Sequence, residues 1–86
     1  MILGKVVGTV VSTRKLESLT GYKLLMVEPY MEENGRILVA GDTVGAGIGE
    51  IVLVTEDATT RYATTRDVPI DALIVGIVDN PPILGR

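Results

Sequence analysis

The sequence predicts an all-β domain, a small closed barrel of five strands with one short helix. Three observations predict it. Five runs rich in Val, Ile and Leu are punctuated by glycines and Asn-Gly, and Asn80-Pro81-Pro82 stops the last. The first run carries glycines at positions 4 and 8, as at a barrel corner. The runs are 4 to 11 residues long, the length of strands, and the segment 13–20 between the first two has no clean period.

The chain has 86 residues, enough for one domain, read as a barrel over 1–80 with a short tail at 81–86. A domain of this size buries roughly 60% of the surface its unfolded chain exposes. Yet 47% of the residues are hydrophobic, and mean hydropathy is +0.39. That is much apolar surface for a small interior.

The first strand is predicted over 2–12. By strict alternation Val6 and Val10 share one face with Gly4 and Gly8 on a common face, while Val7 and Val11 take the opposite side from Val6 and Val10. Residues 13–20 read as a loop, with Leu16 and Leu19 pinning it to the body. The second strand runs from Tyr22 to Tyr30, Leu24 and Met26 facing one way and Leu25 and Val27 the other. Asn34-Gly35 predicts a compact hairpin, because a type I′ turn needs positive φ at both central residues. The returning strand is Ile37 to Ala40, and Gly41-Asp42 ends it.

Next comes Val44-Gly-Ala-Gly-Ile-Gly-Glu50, the stretch around which the chain is organised. Its alternating glycines predict a side-chain-poor loop, packed tightly against other backbone, including a second copy of the chain. A phosphate loop fits poorly. The spacing is G-x-G-x-G, and a β-branched strand, Ile51 to Thr55, follows where a phosphate site needs a helix. Asp57 is placed to cap a short helix from Ala58 to about Thr65. The last strand is Ile70 to Asp79, with Ile74 and Val78 on one face and Leu73, Val75 and Ile77 on the other. The architecture that accommodates these elements is an OB-like barrel.

A small barrel buries one face of each strand. Here the first and last strands are apolar on both faces, which predicts that copies of the chain cover one another.

Composition narrows the chemistry. There is no Cys and no His, which removes thiolate ligands and the commonest general base. The eleven acids are scattered, mostly in loops or at strand ends, and Glu32-Glu33 and Glu56-Asp57 lack the spacing of a calcium loop. Ser12 and Thr13 have no base to activate them. The expectation is no catalytic residue, no cofactor and no metal. Glu50 is the acid to watch, either pairing with a basic residue or loop amides across an interface, or forming a charged ring near a pore. The net charge of −3 and three scattered tyrosines offer no footprint for nucleic acid or an anionic membrane. No signal-peptide pattern and no long apolar run is present, so the chain reads as cytoplasmic.

Val44–Val54, Val-Gly-Ala-Gly-Ile-Gly-Glu-Ile-Val-Leu-Val, and Asp71–Asp79, Asp-Ala-Leu-Ile-Val-Gly-Ile-Val-Asp, resemble the EutN/CcmL family. So do Gly4–Thr13, Lys15, Leu19, Gly21 and Lys23–Val27. The resemblance implies a five-stranded OB-like barrel assembling as a homopentameric ring. It also implies a place at the vertices of a bacterial microcompartment shell, carboxysome or metabolosome, beside hexameric shell proteins. One departure lies after the fourth strand: where the family often carries Gly-Ser-Ser-Ala-Arg, this chain has Asp57-Ala-Thr-Thr-Arg61, and the arginine alone is retained. The subunit interface is assigned to Val44, Gly45, Ala46, Gly47, Ile48, Gly49 and Glu50, with the outer faces of the first and last strands. Shell contacts are assigned to Lys15, Lys23 and Arg61. The alternative reading is an OB-fold module that binds an oligonucleotide or another ligand.

Overall fold

The computed structural model describes residues 1–12, 15–32, 35–56, 70–80 and 83. Five strands form it: β1 (Ile2–Val10), β2 (Lys23–Pro29), β3 (Leu38–Asp42), β4 (Ile51–Glu56) and β5 (Ala72–Val78). They close into a barrel in the order β1-β2-β3-β5-β4. Every contact between neighbours is antiparallel except β3 with β5, which is parallel and spans two residue pairs, Gly41 with Leu73 and Asp42 with Ile74. That seam is the shortest in the barrel. The helix predicted over 57–65 lies outside the described residues. A 3₁₀ turn, Glu17–Leu19, sits instead in the segment read as loop. Leu16 does not pin that segment, being 63% exposed, whereas Leu19 is half-buried.

The interior is aliphatic. Val6, Leu25, Val27, Ala40, Val52, Val54 and Ile74 are fully buried, or nearly so, and Ile2, Leu38 and Ile77 pack against them. Each large side chain withdrawn from water in this way contributes roughly 1.5–3 kcal/mol. Gly4 is needed where β1 crosses β2: a Cβ there would run into Cγ1 of Val27.

Two bulges overturn the strict alternation expected for the terminal strands. In β1 the register with β2 shifts between Val6 and Gly8, so Val6 opposes Val27 while Gly8 opposes Met26. Directly opposed residues share a face. Gly4 and Val6 therefore face the interior, whereas Gly8 and Val10 turn outward beside Met26 and Leu24. The extra residue is Val7. In β5 the extra residue is Val75, since Leu53 opposes Gly76 and Val54 opposes Ile74. Ile74 and Ile77 thus both reach the core, and Val78 faces out. An inserted residue inverts everything beyond it, which a two-residue period read from the sequence cannot register.

β2 and β3 pair as predicted, but their register ends at Val27 and Leu38, leaving residues 28–37 between them. The connection is longer than a two-residue hairpin. Gly35 has a φ of +69°, and Asn34 lies outside the described residues. Within this connection Arg36 donates from Nε and Nη2 to both carboxylate oxygens of Glu32, at 3.0 and 3.2 Å, and from Nη1 to Glu56 at 3.4 Å. The hydrogen bonds to Glu32 and then Glu56 raise the guanidinium pKa further above its ordinary value. The connection is thereby tied to the end of β4.

Candidate functional site

The segment 43–50 joins β3 to β4, and its shape is dictated by two carboxylates. Asp42, the last residue of β3, is 2% exposed. Its Oδ1 accepts the Val44 amide at 3.0 Å, and its Oδ2 accepts the amides of Gly45 at 3.2 Å and Ala46 at 2.9 Å. A buried carboxylate that accepts several amide protons is well satisfied, since hydrogen bonds to an ionised group are the stronger kind. Lys23 stands opposite Asp42 in the β2–β3 register. Its Nζ donates to the Ala46 carbonyl at 2.8 Å and lies 3.9 Å from Asp42 Oδ2. The ends of β2 and β3 thus hold the first half of the loop from both polarities.

Glu50 shapes the second half. Its Oε1 accepts the Gly47 amide at 2.7 Å, and its own amide donates to the Gly47 carbonyl at 3.1 Å. The loop is then stitched to β1: the Gly49 amide donates to the Val6 carbonyl at 2.8 Å, and the Val6 amide to the Glu50 carbonyl at 2.9 Å. Gly45 and Gly49 adopt φ of +90° and +92°, a left-handed region that side chains rarely enter. Within the protomer their need for glycine is conformational rather than steric, since a Cβ at either position would meet nothing within 4 Å. This corrects the expectation of crowding inside the chain itself. At Gly47 the nearest atom would be Glu50 Oε1, at 3.5 Å.

The loop presents two apolar side chains to solvent, Val44 at 46% and Ile48 at 67% exposure. Ala46 does the opposite. It is fully buried in the protomer's own core, so its side chain is not available to a neighbour. The amides of 44–46 are taken by Asp42, which also disposes of an anion-binding role for them. Among the basic positions, Lys15 is exposed. Lys23 shares an open groove with it, lined by Val11, Ser12, Tyr22 and Leu24 and about 260 Å³ in volume. Lys23 is however engaged in holding the loop. Arg61 lies outside the described residues. Asp42 was missed by the sequence reading, although an Asp just ahead of a glycine-rich run is the residue type that caps free loop amides.

Chemically, this arrangement fixes a backbone path and displays aliphatic side chains on it. Among the described residues no three acidic side chains converge as metal ligands, and no helix is long and apolar enough to cross a membrane. Fold and loop together define a class of small closed OB-like barrels that carry a pre-shaped apolar loop. Within that class, the family model described as ethanolamine utilisation protein EutN/carboxysome matches residues 1–79, and the chain belongs to this EutN/CcmL family. It is 54% identical over 83 residues to the bacterial microcompartment shell vertex protein GrpN of Rhodospirillum rubrum, covering 92% of this chain and 93% of the relative. It is 49% identical to the carboxysome shell vertex protein CcmL of Synechocystis, covering 92% of this chain and 83% of that one. The solved structure of the Rhodospirillum rubrum GrpN pentameric microcompartment shell protein superposes with a TM-score of 0.80 at 48% identity, covering 99% of this chain and all of that one.

Proposed function

We propose that this protein is a structural vertex component of a bacterial microcompartment shell, acting as a homopentamer and catalysing no reaction. The observation that carries this reading is its 54% identity to a shell vertex protein over nearly the full length of both chains. The exposed aliphatic loop on a barrel with a complete core of its own supports it. Val44 and Ile48 present their side chains to solvent in the protomer, and burying them against a neighbour is favourable.

In this reading the barrel occupies 1–80, followed by the tail 81–86. Copies meet head to tail, a contact that closes into a ring when its rotation fits five subunits. One side of the contact is the loop: Val44 and Ile48 by their side chains, and Gly45, Gly47 and Gly49 by bringing backbone close to the neighbour. Glu50 holds the loop's path from within. Hexameric shell proteins alone tile a flat sheet, and the five-fold ring supplies the pentagons that such a sheet needs in order to close. Lys15 is the stronger basic contact to those tiles, because Lys23 is committed to Asp42 and Ala46. Identity to shell vertex proteins favours this reading over an oligonucleotide-binding barrel.

Native mass spectrometry at micromolar concentration tests the proposal. The expected species has five times the protomer mass of 9.2 kDa. An Ile48→Asp variant is expected to keep the far-ultraviolet dichroism of the barrel and to run as a protomer. A wild-type protein that stays monomeric would overturn the reading.

A further inference from the structure

Among the described residues the barrel leaves one backbone edge incomplete, and the ends of the glycine loop flank it. β3 and β5 run parallel and pair only at Gly41–Leu73 and Asp42–Ile74. Beyond Asp42 the chain could have continued beside Val75–Val78, but the Asp42 carboxylate draws the amides of 44–46 toward itself and turns the chain away. The loop returns at Ile51, which opposes Val78. Its entry therefore stands beside Ile74 and its exit beside Val78, with the open stretch of β5 between them.

The ladder identifies the free group. Val6 exchanges hydrogen bonds with Gly49 and Glu50, so its backbone polar groups point toward β4. Alternation along β1 then turns Gly4 to β4 and Leu3 to β2, and the Tyr30 amide indeed donates to the Leu3 carbonyl at 2.8 Å. Gly4 opposes Val52, so Val52 is turned to β1, and Ile51 and Leu53 are turned to β5. These oppose Val78 and Gly76, whose polar groups face back to β4. Ile77, between them, directs its N–H and C=O to the open side, where no strand of the described residues meets it. The residue is half-buried and its side chain packs on the core. An open strand edge of this kind presents unpaired N–H and C=O groups to which another strand can add.

We infer that an extended segment of a second copy of this chain pairs with β5 at Ile77 and completes the edge. This rests on the pentameric reading above and specifies where the neighbour's backbone binds. Three features select a second copy as the occupant. The open edge is continuous with the loop assigned to the subunit contact. The loop whose ends flank that edge carries two exposed aliphatic side chains, Val44 and Ile48. And a relative of 48% identity over the whole chain is a pentamer, so each protomer has a neighbour of the same sequence available. Strand addition at an open edge supplies main-chain hydrogen bonds, and the flanking side chains supply selectivity.

Amide hydrogen exchange, resolved by residue with NMR, tests this on the assembled protein and on the Ile48→Asp protomer. The Ile77 amide is expected to exchange at least about tenfold more slowly in the ring than in the protomer, while Gly76 and Val78 are protected in both. A ring in which Ile77 exchanges as fast as in the protomer overturns the inference and leaves the pentamer standing. Equal, slow exchange in both means that the chain covers its own edge, and also overturns it. A protein that forms no ring at all removes both this inference and the reading it rests on.

Discussion

The Ala46 amide donates a 2.9 Å hydrogen bond to Oδ2 of Asp42, four residues earlier, while the Ala46 methyl sits in the barrel core. One residue is thus fixed twice, by its backbone to a buried carboxylate and by its side chain to the interior. The loop that carries the exposed Ile48 begins from that anchor.

Replacing Asp42 should therefore loosen the loop before anything else. Asp42→Asn keeps the shape but substitutes a donor for one of the two acceptor oxygens, leaving at least one loop amide without its partner. The expected cost is about 2 kcal/mol, read as a lower melting temperature. The comparison must be made at equal protein concentration, since an assembly's melting point depends on it.

The three loop glycines should separate into two kinds. Gly49→Ala forces a side chain into a φ of +92° and is expected to destabilise the protomer by roughly 1–2 kcal/mol. Gly47 has no such constraint and faces open space apart from Glu50. Gly47→Leu is expected to leave the barrel folded and to abolish the ring. Circular dichroism and native mass spectrometry on the same sample distinguish the two effects. A Gly47→Leu protein running at full ring mass would remove close backbone approach from the interface.

Charge reversal at Lys15 is expected to leave both fold and ring intact while weakening co-assembly with hexameric shell proteins. The assay is co-sedimentation of shells reconstituted with the Lys15→Glu ring. Undiminished incorporation would take Lys15 off the shell-contact surface. Lys23→Glu is the less informative variant, because it also breaks the bond to the Ala46 carbonyl.

Thr55 offers a stabilising change. Its hydroxyl oxygen is buried and has no hydrogen-bond partner among the described residues. Thr55→Val removes the unsatisfied group at nearly constant shape and should stabilise by about 1 kcal/mol, seen as a higher melting temperature. A lower melting temperature would mean that the hydroxyl is satisfied in the folded protein.

How far the sequence could be read depended on how local each signal was. The positions of all five strands were legible from runs of Val, Ile and Leu, and the glycine loop from its spacing. The alternation of β2 survived intact, Leu25 and Val27 inside and Leu24 and Met26 outside. In β1 and β5 it failed at Val7 and Val75, because a bulge is a property of two paired strands and leaves no mark on one. Glu50 was recognised as important but not as the acceptor for Gly47, three residues back. Asp42 was taken for a strand terminus, although the amides it accepts lie only two to four residues ahead; the approach of Lys23 from β2 is the part that no local signal shows. The family resemblance supplied the assembly, which no single residue states.

The framework of the loop and its display are made by different residues. Asp42, Lys23, Glu50 and the two left-handed glycines set the course of the main chain, while Val44 and Ile48 project from it into water. With the subunit contact proposed above, natural variation or an engineer can exchange those two side chains and change which subunits accept one another, without re-solving how the loop folds. Orthogonal rings that ignore each other in one cell could be obtained from this one scaffold by that route.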